Sequence, residues 1–348
     1  MRYRDAGVDL SRSDALKAEI AREVNTTWPA GSSPLRGGFA GVLAWPGPGG
    51  APGVATHGLI AATLDGVGTK LHLAIEAGRL ADAAADVVYH GANDLLVHGA
   101  RAFACLDYIA QARLEPERVL EAIRGLARGC REVGAVLLGG ETAEMPDTYL
   151  PGTLDLAACM LGRVEEALLL DGARVRAGDR LLGLASAGLH TNGFSLARRV
   201  LAASGKRLSD RLPGGAGETL GDALLAPHRW YGASLLPLIE AGRIHALAHV
   251  TGGGIAGNLV RVLPRGCRAV VERRDEPPAL FRWLMESGAI PEDDARATFN
   301  LGVGMVVVCA PDQADLLAEA LRRSGERVLS LGRVEEGERG AEWRSNSG

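Results

Sequence analysis

The 348-residue chain has 47% hydrophobic and 23% charged residues and a net charge of −4, values of a globular protein that exclude a sequence-independent nucleic-acid binder. Its length exceeds one ordinary core and predicts two domains of about 170 residues each. The start, Met1-Arg2-Tyr3-Arg4-Asp5, has no apolar signal core, and no stretch reaches the roughly 18 apolar residues of a spanning helix, so a soluble, cytoplasmic chain without a membrane partner is expected.

Residues 1–57 open with Tyr3-Arg4-Asp5-Ala6-Gly7-Val8-Asp9 and a helix-compatible piece at 13–26, then dissolve into Gly, Pro and Ser. Within them, Arg36-Gly37-Gly38-Phe39-Ala40-Gly41 either folds over a ligand or forms a surface loop, and Trp45 to Gly53 is an exposed turn. An apolar run at 59–62 leads into Thr63-Leu64-Asp65-Gly66-Val67-Gly68-Thr69-Lys70 and a helix over 71–77. Gly66 and Gly68 let backbone N–H groups approach an anion, Lys70 adds a cation, and Asp65 is a carboxylate suited to Mg²⁺. The same turn also serves as a plain strand-to-helix connection. It matches neither the Walker spacing nor GxGxxG, which excludes a P-loop NTPase and a Rossmann domain.

A helix follows over 81–98, with Asp82 as N-cap and Gly99 as stop. Asp86, His90, Asp94 and His98 are spaced by four and share one face, but their linear spacing disfavours a shared zinc ion; Asp94 is taken as the working group and the histidines as incidental. Then come a strand over 102–110, a helix over 116–133 and a short buried strand at 135–138. That strand delivers Gly139-Gly140-Glu141-Thr142-Ala143-Glu144-Met145-Pro146, where the acids serve either an ion or a capped helix start. After a strand over 154–161, Leu161-Gly162-Arg163-Val164-Glu165-Glu166 recurs as Leu331-Gly332-Arg333-Val334-Glu335-Glu336, which places a domain boundary near Leu170.

The second half opens with a strand over 180–186 and the turn His190-Thr191-Asn192-Gly193 before a helix over 194–204. Lacking a carboxylate, this turn suits an anionic substrate such as a sugar phosphate, with His190 either a proton carrier or a structural residue. A helix over 229–241, the run Thr251-Gly252-Gly253-Gly254, a strand near 269–271, Thr298-Phe299-Asn300-Leu301-Gly302-Val303-Gly304-Met305, a helix over 312–324 and a last strand complete the chain. The tail after Gly337 is read as polar and mobile. The five cysteines, Cys105, Cys130, Cys159, Cys267 and Cys309, are odd in number and scattered, and read as reduced core residues.

Taken together, YRDAGVD, GGF, DGVGTK, Asn93-Asp94 with the downstream Leu106-Asp107-Tyr108, GGETAEMP, H-x-N-G, TGGG and FN-x-GVGM resemble the phosphoribosylformylglycinamidine cyclo-ligase (aminoimidazole ribonucleotide synthetase) family over roughly residues 3–335. The resemblance implies a two-domain α/β (α+β) fold whose N-terminal domain forms a barrel-like sheet in a homodimer. It divides the chain into an ATP-binding and dimerisation domain (1–170), a substrate domain (171–337) and a tail (338–348). It implies ATP-dependent ring closure of formylglycinamidine ribonucleotide through an iminophosphate, with Mg²⁺ on Asp65, Asp94 and Glu141. ATP would meet Gly37, Gly38, Phe39, Asp65, Gly66, Gly68, Thr69 and Lys70, and the substrate His190, Thr191, Asn192, Gly193, Thr251, Gly252, Gly253 and Gly254. Lys70, Asp94 and His190 would be catalytic.

Against the family pattern, Leu64 replaces a polar residue, Ala40 interrupts GGFG, Arg101-Ala102 replaces an acid-Pro pair and Gly91 stands where Cys is frequent. Leu64 thereby removes a polar contact expected near substrate or metal. The rival readings are a sister enzyme, such as a thiamine phosphate kinase or a selenophosphate synthetase, and a non-catalytic nucleotide-binding dimer scaffold. The absence of a cysteine before Cys105 speaks against the selenophosphate synthetase, GGETAEMP against a kinase, and retention of the acids with Lys70 against the scaffold.

Overall fold

The computed structural model describes residues 20, 24, 26–27, 39–44, 58–273 and 275–344. Gly37, Gly38, the Tyr3 to Asp9 and Trp45 to Gly53 runs and most of 13–26 lie outside them.

Strands β1 (Gly41–Ala44), β2 (Leu59–Gly66), β3 (Arg101–Gln111), β4 (Val136–Glu144) and β5 (Leu154–Val164) form a five-stranded sheet in the order β1-β2-β5-β3-β4. Only β3 and β4 pair in parallel, through the crossover helix α3 (Pro116–Val133), which begins on Pro116 and ends at Gly134 in the left-handed region. Helices α1 (Lys70–Glu76) and α2 (Leu80–Leu96) precede it, and α2 packs against β2 and β5. A Cβ on Gly91 of α2 would stand 2.5 Å from Met160 Cγ of β5, so this glycine, which costs up to about 1 kcal/mol in a helix, permits the close approach.

The second sheet holds β6 (Arg180–Ala185), β7 (Ala246–His249), β8 (Cys267–Val271), β9 (Val303–Cys309), β10 (Val328–Glu336) and β11 (Gly340–Trp343), in the order β11-β8-β10-β6-β9-β7. β9 lies next to its centre and is buried at every position, which is why it reads as a continuous apolar run. Helices α4 (Phe194–Ala203), α5 (Leu220–Leu224), α6 (Gly232–Glu240), α7 (Gly254–Val262), α8 (Ala279–Gly288), α9 (Glu292–Thr298) and α10 (Ala314–Arg323) complete this half.

Several expectations are corrected. The glycine-acid run 139–144 neither ends a buried strand nor starts a capped helix: it continues β4, an edge strand whose Val136 and Leu138 are 62% and 64% exposed. Asp82 is not the N-cap of α2; it lies in the first turn, where it accepts from Arg79 and Arg128. Within the tail read as mobile after Gly337, Gly340–Trp343 instead form β11, parallel to β8, and Trp343 receives the Arg296 guanidinium 4.7 Å from its ring centre.

Candidate active site

Side chains alternate along a strand. On β2, Thr63 faces α2 beside Gly91, and Asp65 follows on the same side, whereas Leu64 faces away and is 71% exposed. Leu64 therefore removes no contact from the site, against the expectation from its departure.

His90 of α2 meets Asp65. Its Nε2 is 2.8 Å from Asp65 Oδ2 and 3.5 Å from Asp94 Oδ2 one turn on, and its Nδ1 is 2.6 Å from Thr191 Oγ1 in the second half of the chain. Burial alone would push His90 down, but the charge of Asp94 and the bond to Asp65 outweigh it and hold the ring up at about 10. The imidazolium is thus the cation between two carboxylates, and the reading of the histidines as incidental does not hold for it. Asp94, although buried, is kept well below the usual carboxylate range by His90 and His249. The point on which Asp65 Oδ2 and Asp94 Oδ2 converge is taken by His90 Nε2, so a Mg²⁺ held by both carboxylates, with several waters retained, requires this ring to give up its proton or turn away.

Because the folded-state value of His90 is raised above 6.5, its contribution to stability is complete below that pH and disappears as pH rises through about 10. Without added metal, the melting temperature of the protein is expected to fall more steeply between pH 7 and about 10 than that of His90→Gln. Parallel profiles would show that the ring is not charged.

Glu141 is not brought to this point. Asp65 pairs with Ala158, which pairs with Asp107, which pairs with Gly140; Glu141 is one residue on, opposite Tyr108, and so faces the other side of the sheet. With two strands between β2 and β4, the separation is roughly 14 Å.

Lys70 is 1% exposed and fully engaged inside the protein. Its Nζ donates to Asp86 Oδ2 at 2.5 Å, to the His190 carbonyl at 2.9 Å and to the Ala226 carbonyl at 3.3 Å, which uses its three protons. In this arrangement it ties two segments of the second half to α1 and α2 and does not face a phosphoryl group. Asp86, pushed up by burial against the pull of Lys70, also accepts the His228 N–H at 2.8 Å. Thr69 Oγ1 meets Ser195 Oγ at 3.1 Å. Gly66 N–H donates to the Asp65 carboxylate, and Gly68 takes φ +68 with nothing near its missing Cβ. Phe39 is pinned by its N–H donating to His98 Nε2 at 3.0 Å and lies under Arg261, 3.7 Å from its ring centre.

In the second half, His190 is buried at φ +62, and its Nε2 accepts the Ala187 N–H at 3.4 Å. Its ring stacks on His228 with centres 3.9 Å apart and planes at 25°. Burial and then neighbouring positive groups hold both rings well below the ordinary range, so both are neutral, and His190 carries its proton on Nδ1. His228 donates from Nδ1 to the Arg229 carbonyl at 3.0 Å, leaving a lone pair on Nε2 that faces His249 Nε2 at 3.2 Å. His249 Nδ1 in turn lies 2.8 Å from Asp94 Oδ1. Burial outweighs the pull of Asp94 and holds His249 below its ordinary value, so the ring is neutral and only one of these two contacts carries its proton.

The remaining turns are braced around these groups. Asn300 donates to the Gly188 carbonyl at 2.8 Å and accepts from Gly302 N–H, so FN-x-GVGM supports the H-x-N-G turn. Gly193, at φ +80, caps the start of α4 and lies against the Phe299 ring. The missing Cβ of Gly252 would stand 3.5 Å from Asn192 Oδ1, so the two substrate turns are neighbours. Thr251 Oγ1 bonds Asn258, whose amide donates to the Gly254 carbonyl, and a Cβ on Gly254 would strike the Arg296 carbonyl at 1.8 Å. The structure thus joins Asp65, Asp94, Thr191 and His249 through His90 and Asp94, places His190, Asn192 and the glycine turn beside them, and leaves Glu141 apart. Sequence reasoning placed Asp86 and His90 on one helix face but gave them no role, and it gave none to His228 and His249. His249, immediately before Val250-Thr251, and His90, four residues before Asp94, carried a positional signal; His228 carried none.

A family model for the N-terminal domain of AIR synthase related proteins matches residues 48–164, and one for the C-terminal domain matches residues 176–343. The chain is 41% identical over 337 residues to the phosphoribosylformylglycinamidine cyclo-ligase of Myxococcus xanthus, covering 97% of this chain and 96% of that one. It is 41% identical to the chloroplastic protein of that name from Arabidopsis thaliana, over 97% of this chain and 82% of that one. Among solved structures, tt0281 from Thermus thermophilus superposes with a TM-score of 0.65 at 22% identity, covering 94% of this chain and 96% of that one. T. maritima PurL complexed with ADP gives a TM-score of 0.56 at 17% identity, covering 88% of this chain and 43% of that one. At these identities the two structures speak to the fold alone.

Proposed function

The chain belongs to the AIR synthase related family, and from that premise we infer that it closes formylglycinamidine ribonucleotide to 5-aminoimidazole ribonucleotide in purine biosynthesis, using ATP and releasing ADP and phosphate. The observation that carries this reading is the meeting of the Asp65 and Asp94 carboxylates with the H-x-N-G turn through His90, which supports a nucleotide site beside a substrate site.

The formyl amide oxygen is a poor leaving group; phosphorylation by ATP converts it to an iminophosphate from which phosphate departs as the amidine nitrogen attacks. Mg²⁺, when bound, supplies charge neutralisation for the phosphates. Asp65 and Asp94 would provide its carboxylates in place of their contacts to the His90 ring. Thr191, Asn192, Gly193 and the turn Thr251 to Gly254 orient the ribose phosphate and the amidine. His190, neutral with its proton on Nδ1, offers a hydrogen bond where negative charge develops. Lys70 acts by holding the His190 carbonyl, and Phe39 borders the nucleotide side.

A homodimer completes the reading. Leu64, Leu106, Val136 and Leu138 expose apolar surface on β2, β3 and β4, and covering it with a second copy removes that surface from water. Glu141 and Tyr108 point to the same side, so a metal role for Glu141 requires the place where two sheets meet. The double variant Leu64→Asp/Leu138→Asp is expected to elute as a monomer in size-exclusion chromatography with light scattering and to lose activity; a dimer of unchanged mass would remove this assignment.

The direct test is formation of a diazotisable aminoimidazole from formylglycinamidine ribonucleotide with ATP and Mg²⁺. Absence of product from a folded, ATP-binding protein would move the chain to a sister activity.

A further inference from the structure

His228 has no part in the reaction as set out above, yet it is among the most constrained side chains of the site. Its segment crosses from the second half onto α2 and is tied there at several points. Lys70 donates to the Ala226 carbonyl, Asp86 accepts the His228 N–H, and Asn93 donates to the Arg229 carbonyl at 2.7 Å while accepting the Tyr231 N–H at 3.2 Å. The imidazole is then fixed by its own bond to the Arg229 carbonyl.

His190 is held differently. Its backbone adopts a left-handed conformation that is unfavourable for a non-glycine residue and is retained by Lys70 on its carbonyl. Its ring has one long hydrogen bond, 3.4 Å from Ala187 N, and its Nδ1 has no hydrogen-bond partner among the described residues. Ring orientation at His190 is therefore set by packing: the stacked face of His228 on one side, with the Gly304 backbone and the tilted Tyr231 ring beside it. The His228 ring also abuts His249, which reaches the site from β7, with the two Nε2 atoms 3.2 Å apart and the ring centres 5.1 Å apart.

We propose that His228 is a positioning residue for ring closure: its stacked face sets the His190 ring, its edge abuts His249, and α1 and α2 hold it in place. The proposal rests on the reading that His190 acts on the substrate. It assigns His228 no contact with the reacting atoms.

The test uses the full chain with His228→Ala, His228→Phe and His228→Asn. Phenylalanine keeps a stacking face without the lone pair; asparagine keeps a hydrogen-bonding group without the face. His228→Ala is expected to lower kcat by about 10- to 100-fold, as for a small misplacement of a reacting group, while the KM for ATP stays within about twofold. Phenylalanine and asparagine should each restore part of the lost kcat. In ¹⁵N-histidine-labelled protein, His190 should show a single Nδ1–H tautomer that becomes an averaged pattern in His228→Ala. A kcat near that of the unsubstituted protein in His228→Ala, or a fall in kcat matched by falls in ATP affinity and melting temperature in all three variants, would overturn the proposal. If the unsubstituted protein makes no aminoimidazole, the functional reading fails, and the tautomer measurement alone decides whether His228 sets His190: an unaltered His190 pattern in His228→Ala rejects it.

Discussion

Asp94→Asn is expected to lower turnover by about 100- to 1,000-fold, the scale seen when one preorganised charge-stabilising group is removed. Asp94 is buried, faces His90 with one oxygen and His249 with the other, and is one of the two carboxylates that converge on the proposed metal position. An asparagine amide removes the negative charge and presents N–H groups where His90 or His249 already donates. His90 then loses a main reason to hold its second proton, His249 loses its partner at Nδ1, and a bound metal would lose a ligand. Initial rates of aminoimidazole formation across a Mg²⁺ titration give the measurement. Near-normal turnover at saturating Mg²⁺ would remove Asp94 from the metal site.

Lys70→Met is expected to destabilise the folded protein by about 3–5 kcal/mol, because it leaves Asp86 buried without its counter-charge. Two carbonyls, of His190 and Ala226, lose their donor in the same step. The double variant Lys70→Met/Asp86→Leu should recover a large share of that stability, since replacing both members of a buried pair with apolar groups is far milder than removing one. Denaturant unfolding of the two single variants and the double variant measures the coupling. A Lys70→Met protein within about 1 kcal/mol of the parent would show that the pair is not the clasp described here. The activity of Lys70→Met separates its roles: loss of kcat with ATP affinity retained reports the placement of His190, whereas loss of ATP affinity reports contact with phosphate.

What the residue order decided is local and periodic. Strand-turn-helix spacing located β2 and α1 around Asp65 to Lys70, Pro116 and Gly134 marked both ends of α3, and the ordered motifs carried the family resemblance. Facing was harder to read, because it depends on register and not on composition. Asp65 and Leu64 are adjacent, yet one enters the site and the other lies on the apolar outer face; Glu141, grouped with the acids by its motif, falls on that outer face too. Lys70 reads as a phosphate-binding cation from its glycine turn, but partners 16 and 120 residues away use its protons. β11 was read as a tail because its few polar residues form a strand only against β8. The chain's own sequence determined which chemistry it carries: carboxylates after one strand and on one helix, and glycine turns beside a histidine. Only the tertiary structure decided how that chemistry is joined, because His90, His190, His228 and His249 come from four separate segments and acquire their protons, tautomers and orientations from one another's burial and hydrogen bonds.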